Sequence, residues 1–224
     1  MESQSTPSQR YVLLYTFADY VKELSDYCKE TSSSTPNSSP DQSDHQSASR
    51  HQERASAFGI QNGLLEIMER VYILHVDARE TKTLESDSVV DAVDIWNDLD
   101  HIREECQQDS AENASLQTAC VWALFVWLYL VVHPKGAGDE RAQMAVRNGL
   151  TASKAVASEE SLPFLLIPAF CLGLAALEQE ERDSVVELFG KIDGSFVLID
   201  VRIYREIVEE GWQELDSGSD RTWG

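Results

Sequence analysis

Basic residues are scarce in this chain: 18 lysines and arginines stand against 39 aspartates and glutamates, leaving a formal net charge of −21. A surface of that sign repels phosphate backbones, so no direct contact with DNA or RNA is expected. Cysteine is also sparse. Cys28, Cys106, Cys120 and Cys171 form no C-x-x-C pair, and Cys120 and Cys171 fall inside the two most apolar runs. That pattern argues against a zinc site or a disulfide framework and suits reduced, buried thiols of an intracellular protein. The opening MESQSTPSQR has no apolar segment behind a basic start, hence no secretory signal, and the expected address is the nucleus or cytoplasm.

Catalytic signatures are missing as well. There is no G-x-S-x-G elbow, H-E-x-x-H pair, phosphate loop, dinucleotide glycine fingerprint or calcium loop, and no repeat of solenoid length. The best residual constellation is Asp94, Asp98, His101 and Glu105 on one helix face, in which Asp98 and His101 have the i, i+3 spacing of carboxylate-bridged metal sites. Such sites draw on three further helices, and no second carboxylate-x-x-His exists. A solvated acidic face is therefore preferred to a helical metal-dependent enzyme. No catalytic, cofactor-binding or metal-ligating residue is assigned. His75 and His133 close otherwise apolar helices and read as partners of the helix dipole rather than as bases.

What the chain does have is a stretch without charge, Ser115–His133, centred on Ala119–Val132 (ACVWALFVWLYLVV). Wound as a helix it must be hidden from water on every face. Its fourteen apolar residues cover roughly 21 Å, short of the ~30 Å hydrocarbon core of a bilayer. Leu162–Leu177 is the second such run, interrupted by Pro168 and without a flanking basic cluster. The pair reads as two core helices and not as a membrane hairpin. With 42% hydrophobic residues in 224, the chain can bury one sizeable core.

The remaining segments read as cover. Arg10–Glu30 carries Leu14, Phe17, Val21, Leu24 and Cys28 at helical spacing, whereas Thr31–Ser56 is a Ser-rich linker too polar to offset its ordering entropy. From Phe58 a helical stripe resumes with Ile60, Leu64, Ile67, Val71 and Leu74. Ser86–Gln108 follows, with Ser86 as N-cap and Val89, Val93, Trp96, Leu99, Ile102 and Cys106 facing inward. Ser110–Ser115 is a polar turn, and His133-Pro134 stops the central helix.

Beyond the loop Lys135–Gly138, Asp139 caps a helix with a stripe of small residues, Ala142, Ala145, Gly149, Ala152 and Val156. Pro168 is expected to kink the next helix. Arg182–Ile192 is amphipathic, Gly190 and Gly194 bracket a turn, and Phe196–Trp212 closes the core as a helix through Val197, Val201, Tyr204, Val208 and Trp212, in preference to a strand. The expected fold is all-α, an irregular multi-helix bundle around one fully apolar central helix. Its parts are a tail and helix over 1–30, the linker 31–56, a helical domain 57–215 and a loose acidic tail 216–224.

Taken in order, GIQNGLLEIMERVYIL, LQTACVWALFVWLYLVVHP, LPFLLIPAFCLGLAALEQEERDSVVELF and IYREIVEEGWQELDSG resemble the helices of the fungal-specific transcription factor domain, the regulatory region of fungal zinc-cluster transcription factors. The resemblance covers Gly59–Trp223. It implies a nuclear, helical, non-enzymatic module that modulates a transcription factor through contacts with the transcription machinery or a full-length relative, and that in some members senses a small molecule. The six clustered cysteines of the family's DNA-binding element are absent, as are several helices between the counterparts of Tyr11–Cys28 and Gly59, so a shortened member or a partial gene product is expected. The alternative is a standalone helical interaction protein that competes with full-length regulators. For a small apolar ligand the candidate lining is Trp122, Phe125, Trp127, Phe164 and Phe170, set against the preferred reading that all five fill the core.

Overall fold

The computed structural model describes residues 62–81, 86–106, 111–194 and 200–217. Expectations for the helix Arg10–Glu30, the linker, Ile60, Val197 and residues 218–224 lie outside them. Among the described residues the fold is all-α, with no strand. Its helices are α1 (Asn62–Thr81), α2 (Ser86–Cys106), α3 (Ala111–Val132), α4 (Glu140–Ala155), α5 (Leu166–Ala175), α6 (Gln179–Asp193) and α7 (Val201–Asp216). Two 3-10 turns, Gly136–Gly138 and Glu159–Leu165, precede α4 and α5.

The central helix is α3. It begins at Ala111, so the expected polar turn is its first turn, and at 22 residues it is longer than the apolar run alone implied. Ala114–Val132 is long and apolar enough to cross a bilayer, yet 78% of its apolar window is buried inside the domain, the placement of a core helix. From Ala119 to Val131 every residue is buried except the half-buried Trp122. The cover consists of α1, α2, α4 and α5. Leu124, Leu128 and Leu130 are fully enclosed, each contributing about 1.5–3 kcal/mol of burial.

Small residues set how closely the cover approaches. Ala142, Ala145 and Gly149 of α4 are buried, and a methyl group placed on Gly149 would meet Leu172 Cδ1 at 2.8 Å and Trp122 Cβ at 3.1 Å. Gly173 of α5 does the same for α6 and α7, where an added carbon would stand 2.9 Å from Val185 Cγ1 and 3.0 Å from Val208 Cγ1. Both glycines hold close helix crossings. Gly190 differs: it lies inside α6 instead of bracketing a turn, is exposed, and has nothing within 4 Å of an added carbon. Gly190→Ala is therefore expected to stabilise the fold by about 0.5–1 kcal/mol, since only the entropy term of helical glycine is removed. A denaturation midpoint unchanged or lowered in that variant would refute this.

Four further local expectations are corrected. On α2 the buried stripe is Ala92, Ile95, Leu99, Ile102 and Cys106, while Val89 and Val93 face solvent and Trp96 is half-buried. Two stripes share the C-terminal half of this helix and diverge toward its start. The inward one follows Ile95, which is 1% exposed. On α1 the helix continues to Thr81, so buried His75 lies well inside it and accepts a hydrogen bond at Nδ1 from Trp127 Nε1, 2.9 Å away. It is a side-chain partner of the central helix, not a dipole partner at a helix end.

Pro168 does not kink a continuous helix. The 3-10 segment Glu159–Leu165 ends and α5 starts at Leu166, placing Pro168 in the first turn, where a missing backbone donor costs little. Asp139 stands at the N-cap of α4 but makes no side-chain cap bond. Its carboxylate accepts from the Tyr129 hydroxyl at 2.6 Å instead, which pushes the phenol above its ordinary value of 10.0. The expected stripe of α7 is present: Val201, Tyr204, Val208 and Trp212 are buried, and Asp200 accepts from the backbone N–H of Arg202.

Candidate functional site

The rings read from the sequence as a lining pack against different neighbours. Phe125 packs on Trp96 of α2 with centroids 4.3 Å apart, and Trp122 meets the same Phe125 at 5.8 Å, with the Arg103 guanidinium 5.6 Å from the Trp122 ring. Trp127 lies on another side of α3, against His75 of α1 at 5.9 Å. Phe170 stands edge-on to Tyr204 of α7, and Phe164 is buried in the 3-10 segment. Only Trp122 and Phe170 are half-buried.

The polar groups of the C-terminal half act as fasteners. Glu181, buried in the first turn of α6, accepts from the backbone N–H groups of Leu177 and Glu178, both at 3.3 Å, so its carboxylate satisfies donors at the start of that helix. The second oxygen faces Arg147 of α4 at 3.8 Å. Next to it, Arg182 forms a two-pronged pair with Asp216 at 2.8 and 2.9 Å, and its guanidinium carbon lies 5.4 Å from the Trp212 ring. Trp212 in turn donates from Nε1 to the Gly173 carbonyl at 2.8 Å. Gly173, Arg182, Trp212 and Asp216 thus meet as one junction of α5, α6 and α7.

Sequence reasoning missed this junction, because Asp216 lies 34 residues from Arg182. The Arg182 hydrogen bonds hold the Asp216 carboxyl below its ordinary 3.8. A carboxyl depressed in the folded state lends stability above its unfolded value and loses it as pH falls through the folded one. Asp216→Asn should therefore melt below the parent near neutral pH, with the gap closing as pH drops below 3.8. A gap independent of pH would show that the charge on Asp216 contributes nothing.

The acidic face of α2 is exposed. Asp98 is paired with Arg70 of α1, His101 lies 3.5 Å from Glu105, and among the described residues no group of three metal-ligating side chains converges. Cys106, Cys120 and Cys171 are buried free thiols. Burial pushes Cys120 up to about 12 and raises Cys171 likewise, the reverse of a nucleophile's setting, and Cys106 Sγ donates to Gln117 Oε1 at 3.1 Å. Apolar exposure is concentrated on α2, where Val89, Val90 and Val93 are 45%, 57% and 54% exposed.

These residues define a helical domain whose buried polar groups join helices and whose exposed large apolar side chains gather mainly on α2. The chain matches the family described as Fungal specific transcription factor domain over residues 1–223, and it belongs to that family. The match takes in the stretch before Gly59 as well as the helices from Asn62 onward. No curated protein and no solved structure matches it.

Proposed function

We propose that this chain is a regulatory module of the fungal zinc-cluster transcription factor type, acting in the nucleus through contacts with other proteins and not through DNA. The family membership carries the reading. The chain's charge supports the second half of it, since a net −21 disfavours a phosphate backbone and suits partners with basic surfaces. The partners are proteins of the transcription machinery or a full-length relative.

Fusing the full chain to a heterologous DNA-binding domain upstream of a reporter tests this. Reporter output should change several-fold relative to the DNA-binding domain alone, in either direction. A folded, nuclear fusion that leaves output unchanged overturns the proposal.

A further inference from the structure

We propose that Ser217, at the end of α7, is a phosphorylation site for a serine kinase that selects acidic sequences, and that its phosphoryl group loosens the pair between Arg182 and Asp216. Five serines and threonines of the chain have an acid three residues on: Thr16, Ser38, Ser88, Ser184 and Ser217. Of the three that lie among the described residues, Ser184 is buried and Ser88 is half-buried within α2, whereas Ser217 is exposed at a helix end. Glu214 and Asp216 precede it by three and one, and Asp220 follows by three, a setting that suits a kinase with a basic substrate groove. In the reaction Ser217 Oγ bonds to the γ-phosphorus of ATP as the β,γ-anhydride bond breaks. The hydroxyl proton passes to a base of the kinase, and ADP leaves.

The structure around Ser217 makes the added group disruptive. Its hydroxyl donates to the Glu214 carbonyl at 2.7 Å, one of the carbonyls that a helix end leaves without an intrahelical partner. Esterification removes that donated proton and sets an oxygen that can only accept beside the same carbonyl. The phosphoryl group also brings about −1.5 to −2 of charge to the negative pole of α7, whose last turn holds Glu214 and Asp216 and no basic side chain.

Arg182 is the cation that meets this end from α6, with its side chain 11% exposed and turned to Asp216 and the Trp212 ring. Ser217 lies about 100° round the helix from Asp216, on the side away from Trp212. Its phosphoryl group therefore faces solvent and repels the Asp216 carboxylate instead of taking its place on the guanidinium. Phosphorylation and the fastening of α7 thus oppose one another.

The test incubates the full chain with magnesium ATP and a purified serine kinase of acidic-sequence specificity, and locates phosphate by tandem mass spectrometry. Ser217 should be modified at least about tenfold faster than Ser88 or Ser184, because a helix end opens more readily than a helix interior. The phosphorylated chain should melt about 2–4 °C below the untreated one, and Ser217→Ala treated in the same way should show no shift. Asp216→Asn removes the pair at an exposed position and keeps Glu214 and Asp220. Once fully phosphorylated, it should show a shift smaller by at least about half. Lack of phosphate at Ser217 overturns the proposal. So does a raised melting temperature, which would mean that the phosphate itself takes Arg182, or an equal shift in Asp216→Asn, which would mean that the group acts without the pair.

Discussion

Replacing Trp212 by alanine is expected to lower the stability of the domain by about 3–5 kcal/mol, the range for removing a large aromatic side chain from a packed interior. Trp212 is 8% exposed, donates to the Gly173 carbonyl and lies beside the Arg182 guanidinium, so three helices lose a shared contact when it goes. Trp212→Phe separates the contributions. It keeps most of the apolar area, and the Gly173 carbonyl still accepts from the Ala176 backbone N–H at 3.2 Å, so no acceptor is stranded. The phenylalanine variant should therefore lose only about 1–2 kcal/mol. Urea unfolding at constant slope measures both. An alanine variant within 1 kcal/mol of the parent, a margin about a third of the smallest expected loss, would mean that α7 is not fastened through this ring.

Gly149→Val should have the next largest effect, a loss of about 3 kcal/mol. In an exposed helix the exchange of glycine for a larger residue is favourable by several tenths of a kcal/mol, so the sign here is decided by space. An added carbon already meets the Leu172 side chain at 2.8 and 2.9 Å and Trp122 Cβ at 3.1 Å. Leu172 is fully buried and cannot swing toward solvent, and Trp122 Cβ is fixed to the backbone of the central helix. Gly149→Ala should lose about 1 kcal/mol on the same grounds. Thermal melting of the three variants Gly149→Val, Gly149→Ala and Gly190→Ala places two below the parent and one above. Parallel shifts in all three would remove the argument from close approach.

Periodicity made the small-residue stripe of α4 and the buried face of α7 legible, because each has a single stripe and no competitor, and the lack of any charge made the central helix legible. On α2 it failed for a definite reason. Leu99, Ile102 and Cys106 fit two stripes, and the valines at the start of the helix belong to the one that faces water. Local sequence likewise could not locate the end of α1, whose last turn, DARET, is polar, and so placed His75 at a terminus. Pairings between distant residues were out of reach altogether: Tyr129 with Asp139 removes the expected cap, and Arg182 with Asp216 fastens two helices. The five candidate rings illustrate the same limit. Their aromatic character was plain, but which neighbour each one packs against is something that periodicity does not name.

The burial of α3 on all sides also sets an order of events at the ribosome. Its cover comes partly from α1 and α2, already synthesised, and partly from α4 and α5, which follow it in the chain. Between the last residue of α3 and the end of α5 lie the 43 residues from His133 to Ala175. At ~5–20 residues per second, the nascent chain carries its most apolar helix half-covered for about 2–9 s. That interval is long compared with hydrophobic collapse, which takes on the order of microseconds. An emerging chain of this kind is a natural client for a ribosome-associated chaperone, and synonymous codons that slow translation between Pro134 and Pro168 would lengthen its dependence on one.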